Sequence, residues 1–396
     1  MGTRVYGARM RQARALRVVP SSVVAEHMGW SRARQSKLEL RDSVFTLDEP
    51  ALARLGALCG FPAGFFTTAP GSRVTIGDLL FRPSRMVSAS AREFLAAMVN
   101  VIGDLVSLEP DFGQWGGDRG WEPARNAVDV QAAGAAARRQ LEVSAGAPIG
   151  DVIGQMESVG IAVAMLPEVS FDTAALTGTH DGCSARAGYM RDQPVVLLPA
   201  GRSWEQLRLA AAHEIGHLML HPFGGIRPAE ERAAAAFAAE FLAPAAALEL
   251  ELPATVTLGG LLALKQRWGL SLAALIPHLR NSRLITEDRA RTLQRQLYSR
   301  INRETGCTWG KTEPGQHGWV LEAPRLLAQI AVNSRSGKGG AMALPQDLLA
   351  AIASGQSVLP AAAYPAFRQQ VGGDRDRDRP DVEDTLGVPG RIDMSG

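Results

Sequence analysis

The chain has 396 residues, 46% of them hydrophobic and 21% charged, with a formal net charge of +2. That is long enough for two or three domains with their own cores, and the composition excludes a disordered, collagen-like or extremely charged protein. Cys59, Cys183 and Cys307 are isolated and form no CxxC pair, and no apolar run follows the first arginines; a soluble protein of the reducing cytoplasm, with no membrane partner, is expected. The charge is unevenly spread. Residues 1–41 carry nine Lys and Arg against two Glu, or +7, which leaves −5 for the remainder. A basic head on a mildly acidic body suggests that one end meets a polyanion.

Residues 5–66 read as short helices joined by tight turns. Pro20-Ser21-Ser22 can open one helix, Gly29 stops it, and Ser31 can cap the next. This is a helix-turn-helix unit, and its third helix, Arg32 to Glu39, would enter a major groove by its N-terminal end. Arg32 is the leading base reader because a guanidinium pairs bidentately with guanine; Ser31, Arg34 and Lys37 stand beside it. Arg11, Arg14 and Arg41 fit phosphate contacts, which give affinity without sequence information. The run from Met10 to Arg14, through Ala25–Ser31, to Ser36–Glu39 resembles the XRE (Cro/repressor-like) DNA-binding domain, and the resemblance implies double-stranded DNA as partner. Gln35 departs from that pattern, which usually buries Val or Ile there, and the second helix opens Pro20-Ser21 rather than Ser-Gln. A solvated basic face, or a protein-docking relic, is the alternative.

Pro70-Gly71-Ser72 closes the head, taken as residues 1–70, and 71–125 reads as a helical linker with a helix from Ala89 to about Leu108. Further helices are expected over Val128–Leu141 and Pro148–Val159, and strands over Ile161–Leu166 and Pro194–Leu198. Asp181-Gly182 is a strong hairpin turn, so residues 175–190 read as a hairpin. A mixed sheet beside a site helix would let an extended peptide add as another strand.

The most informative segment is His213-Glu214-Ile215-Gly216-His217 on a proline-free helix from Trp204 to His221. Histidines four apart share one helix face, which suits two imidazoles gripping one Zn²⁺. Glu214 is turned about 100° away, better placed to act on water than to bind metal. After the break at His221–Gly225, Pro228 opens a second helix that ends at Pro244. It carries Glu230, Glu231 and Glu240. Glu231 shares a stripe with Ala234, Ala235 and Ala238, small residues that would let the two helices approach, so it is preferred as third ligand. Glu230 is the nearer rival, and Glu240 faces the other way. His221 reads as a histidine supporting the ligands, and Cys183 as a buried thiol rather than a reversible zinc ligand.

The segments Ala212–His221 and Glu231 to Pro244 resemble the ImmA/IrrE family of zinc metallopeptidases, in which fusion to an XRE-type head is common. Ala235 and Ala243 depart from the family's usual Asn and Met. The resemblance implies an α+β, mainly helical chain. It would consist of an N-terminal all-α helix-turn-helix domain, a zincin-like metallopeptidase domain with a small mixed sheet over 126–252, and a C-terminal helical region over 253–330. Residues 331–396 are expected to be a poorly ordered tail. It further implies Zn²⁺ on His213, His217 and Glu231, Glu214 as general base, and a protein substrate that is a repressor or other regulator. The alternative is a transcription regulator whose peptidase-like domain senses a metal or ligand without proteolysis. His180, Tyr189 and His278 are candidates for the oxyanion-stabilising group, and homodimerisation is left open.

Overall fold

The computed structural model describes residues 2–80, 88–108, 120–124, 129–166, 182–188, 192–221, 227–315, 322–335 and 342–354. At the start of the chain, β1 (Thr3–Tyr6) runs into α1 (Gly7–Leu16), α2 (Ser21–Met28) and α3 (Arg32–Leu38). The chain then returns as β2 (Val44–Leu47), antiparallel to β1 with Thr3 opposite Leu47, before α4 (Glu49–Cys59) and α5 (Ala63–Thr67). The head is therefore not helical throughout: a two-stranded ribbon ties its first residues back beyond α3. Gly29, at φ 67°, ends α2, and the Ser31 hydroxyl accepts the Arg34 amide at 3.1 Å to cap α3, as the sequence indicates.

Gln35 is buried despite its polarity. Its amide donates to Glu39 Oε1 at 2.6 Å, and Glu39 is held in turn by Arg14 at 2.6 Å. A polar network thus replaces the aliphatic contact expected under α3.

Next come α6 (Ala89–Ser107), α7 (Val130–Gln140), α8 (Val152–Ser158), β3 (Ala162–Leu166), β4 (Cys183–Ala187), β5 (Gln193–Pro199), α9 (Trp204–Leu220) and α10 (Pro228–Leu242). Rather than a free linker, α6 packs on α1 and on all three strands. The sheet has the order β3-β5-β4, with β3 parallel and β4 antiparallel to β5. Along each strand alternate residues face opposite ways. Val163, Met165, Val196 and Leu198 join the core that includes α8, α9 and α10, leaving the other set to face α6. Helices on both faces explain why these strands are almost uniformly apolar. The hairpin expected over 175–190 lies mostly outside the described residues; the antiparallel partner of β4 is β5.

Beyond α10 the chain continues through α11 (Ala245–Glu251), α12 (Leu261–Trp268), α13 (Leu272–Asn281), α14 (Glu287–Ser299), α15 (Leu326–Arg335) and α16 (Gln346–Ser354). The α12–α13 turn repeats the α2–α3 turn: a glycine at φ 67° followed two residues later by a capping serine, Ser271. Here α13 buries Leu272, Leu275, Ile276 and Leu279 and packs on α10, so the unit serves as a helical cap. The expected tail from residue 331 needs correcting. Helix α15 extends to Arg335, and α16 buries Leu348, Leu349 and Ile352 while both pack on β3. Asp347 also pairs with Arg17 of the head at 2.5 Å.

Among the described residues no single helix is long and apolar enough to cross a membrane. The apolar pair α10 and α11 is bent by 47° at the break between the two helices.

Candidate metal centre

Both helices of the site begin with defined caps. Ser203 and Gln206 form a capping box at the start of α9, and Arg227 with Glu230 forms one at α10, where Pro228 takes the first helical position. That box settles the roles of the glutamates on α10. The Glu230 carboxylate accepts from the Arg227 amide at 2.7 Å and from its guanidinium at 2.6 Å, which turns it outward. Glu240 faces α7 and accepts from the Ala245 amide at 3.3 Å. Glu231 remains, and it points at the histidines.

Helices α9 and α10 touch closely because Gly216 has no side chain. A Cβ there would lie 3.2 Å from the Ala234 carbonyl oxygen and 2.9 Å from Phe237 Cδ1. Ala234 and Ala238 form the buried seam; Ala235, expected in it, is exposed. Across this contact the His213 and His217 Nε2 atoms stand 3.0 Å apart, and Glu231 oxygens lie 3.3 Å from the first and 3.6 Å from the second. A tetrahedral ion with ligand bonds of about 2.0–2.1 Å has ligand–ligand edges of about 3.3–3.4 Å. The three distances straddle that value, so the donor set fits a zinc-sized ion with one position left over.

The surroundings support the same reading. His217 turns Nε2 to the centre and places Nδ1 3.2 Å from His221 Nδ1. Burial and the neighbouring His217 push the His221 imidazole down to about 4, so it is uncharged at neutral pH and, with an ion on His217 Nε2, would accept from the His217 Nδ1–H. Burial acts to raise the Glu231 carboxyl, but hydrogen bonds and charge from both imidazoles hold it well below the usual carboxylate range. Glu214 is buried at 2% exposure, and its Oε2 has no protein partner. Burial pushes its carboxyl up, against the pull of His217, His213 and the nearby Ser184 hydroxyl. An orphaned carboxylate oxygen beside three converging donors leaves room for a water molecule to complete the arrangement.

Two residues at the start of β4, Gly182 just before the strand and Ser184 within it, were missed by sequence reasoning. Gly182 approaches so closely that a Cβ would meet Glu214 Oε1 at 2.8 Å, and Ser184 is wholly buried on the side facing Glu214. A serine between Cys183 and Ala185 at the buried start of the strand was the available signal. Cys183 lies in the same stretch, buried, its thiol raised chiefly by burial and then by the Glu214 charge.

Other expected site residues fall elsewhere. His278 is buried with Nε2 2.8 Å from the Ala243 carbonyl oxygen, so it ties α13 to the end of α10 and is not an oxyanion group. His180 and Tyr189 lie outside the described residues. In the head, Ser31, Arg32, Arg34 and Lys37 are exposed, with the Arg34 guanidinium 5.3 Å above the Trp30 ring. Arg14 is corrected as a phosphate contact: it is buried between Glu39 and Glu93, at 2.6 and 3.0 Å. Arg11 pairs with Glu93 at 2.7 Å and Arg41 donates to the Arg73 carbonyl at 2.7 Å, though both are exposed.

Two histidines one turn apart and a carboxylate from the next helix, with a buried glutamate between the histidines, match the residue pattern of a metallopeptidase domain. Residues 156–279 match the family model described as the IrrE N-terminal-like domain, Peptidase_M78, a span holding the three-stranded sheet, the site helices and most of the capping α13. No curated protein matches the chain.

Proposed function

We propose that this protein is a zinc-dependent endopeptidase that cleaves a regulatory protein of repressor or antitoxin type, and that residues 1–70 bring it to double-stranded DNA. The observation carrying the peptidase reading is the convergence of His213, His217 and Glu231, whose ligand atoms all lie within 4.8 Å of one another. These residues would hold the zinc ion, which supplies Lewis acidity toward a peptide carbonyl and acidifies a water ligand. Glu214 takes the proton from the attacking water and returns it to the leaving amine, a shuttle favoured by a carboxyl that burial raises above its ordinary value. His221 fixes the tautomer and ring plane of His217. In the head, the exposed Arg32, Arg34 and Lys37 supply the base and phosphate contacts.

The test compares wild type with Glu214→Gln after incubation with the products of neighbouring genes, reading fragments by mass spectrometry and zinc by elemental analysis. Both proteins should hold zinc and only wild type should cut; cutting by the variant would remove Glu214 from the mechanism. One observation favours a second reading. The full burial of Glu214 suits a domain that senses a metal or ligand, in which case the variant would leave regulation intact.

A further inference from the structure

The stretch Gly182–Ser184, which leads into β4, touches the buried Glu214, and β4 is an edge strand with β5 on its inner side. An extended substrate would add to the outer side of this strand, using backbone hydrogen bonds. That side is already engaged. The Leu80 amide donates to the Ser184 carbonyl at 2.7 Å, and the Ser184 amide donates back to the Leu80 carbonyl at 3.3 Å, as an antiparallel bridge. Residues directly opposite in such a bridge send their side chains to the same face. Ser184 opposes Val196, which belongs to the core under α9, and Leu80 is buried in that same core. Leu80 therefore lies on the side of the sheet that carries the metal-binding helix.

What brings Leu80 there is a set of buried polar groups with no other evident purpose. Asn100 and Asp104 are polar residues on the buried side of α6. Asn100 accepts the Val74 amide and donates to the Val74 carbonyl, both at 2.8 Å, as a neighbouring strand would. Asp104 accepts the amides of Gly71 and Ser72 and pairs with the buried Arg9 of α1 at 2.9 Å. Ser72 Oγ in turn accepts the Gly188 amide just beyond β4, at 3.0 Å. One chain of contacts thus runs from the head, through the segment after it, to both ends of β4.

We propose that residues 71–80 form an autoinhibitory strap that fills the substrate edge of β4, so that an extended peptide must displace Leu80 from Ser184 to reach the metal centre. The inference rests on the peptidase reading above and adds its regulation. Because Arg9 shares Asp104 with the strap, a partner that shifts α1 would loosen the strap and open the edge.

The experiment uses the full chain loaded with zinc and an N-acetyl tripeptide hydroxamate as probe, read by hydrogen exchange and by binding titration. In the free protein the Leu80 amide should be protected, and saturation with probe should expose it. Leu80→Pro removes the donor to Ser184 and should tighten probe binding about tenfold, since the shorter of the two backbone hydrogen bonds of the bridge no longer competes. Asn100→Ala leaves Leu80 and β4 untouched, frees the strap at Val74, and should act in the same direction should the proline variant fold poorly. Continued protection of Leu80 in the saturated complex, or equal probe affinity in wild type and Asn100→Ala, overturns the strap. Zinc content and the binding of acetohydroxamate, too small to need the edge, are measured alongside. Loss of both in wild type overturns the metal-site reading and the strap with it, whereas retention of both assigns a negative result to the strap alone.

Discussion

Gly216→Ala tests how tightly packing and metal geometry are coupled. The new methyl would stand 2.9 Å from Phe237 Cδ1 and 3.2 Å from both Cα and the carbonyl oxygen of Ala234. In helix propensity alone, alanine should stabilise α9 by about 1 kcal/mol. Overpacking a tight contact costs about 1–3 kcal/mol, and here two of the three near atoms are backbone, so steric cost should win by about 1 kcal/mol. The easiest relief is a shift of α10 away from α9. Glu231 lies one turn before Ala234 on α10 and would be carried off the imidazoles with it. A displacement of about 0.5 Å is enough to spoil a metal site, so zinc affinity should fall about tenfold or more. Chelator competition gives the affinity, and thermal melts with and without zinc separate it from stability. A variant that melts higher than wild type and binds zinc equally well would show that the two helices do not need the glycine to approach.

Other substitutions probe different layers. His221→Ala should lower zinc affinity about 10–100-fold by leaving the His217 Nδ1–H without its acceptor, measured by the same competition; unchanged affinity would dismiss the pairing. Arg14→Ala should cost about 3–5 kcal/mol by stranding Glu39, whereas Arg32→Ala should leave stability within about 0.5 kcal/mol and weaken binding to double-stranded DNA. Equal melting points for these two variants would contradict the burial assigned to Arg14. Burial raises Glu157 from 4.5 to about 7, although it accepts the Arg325 and Leu326 amides. Between those values the folded state keeps a proton that the unfolded chain releases, so stability should fall by up to about 3 kcal/mol as pH rises through that window. Glu157→Gln should flatten this slope in urea titrations at pH 5 and 8, and parallel curves for the two proteins would refute it.

Much of the metal centre was legible because its signals are local. Two histidines four apart and a carboxylate on a stripe of alanines need only helix periodicity to be placed on facing sides. The helix starts marked by the Ser31 cap and by Pro228 at a first helical position follow from the same short-range chemistry. What escaped was held by distant partners. Arg14 looks like a surface arginine until Glu93, 79 positions away, packs over it. The β1–β2 ribbon joins four-residue strands whose pairing carries almost no periodic signal. His278 drew attention as a titratable group near the motif, yet its partner is a main-chain carbonyl that sequence cannot position. The helix α16 fell within the stretch assigned to the tail because the chain ends in an Asp/Arg-rich run, although Leu348, Leu349 and Ile352 marked its inner face.

The placement of α15 and α16 against β3 bears on how the protein can be shortened. A chain ended soon after the matched peptidase span would retain every metal ligand, yet it would strip the outermost strand of its covering and release Arg17 from Asp347. Bare strand margins recruit one another, so such a fragment should precipitate or form adventitious oligomers at concentrations where the longer chain stays dispersed.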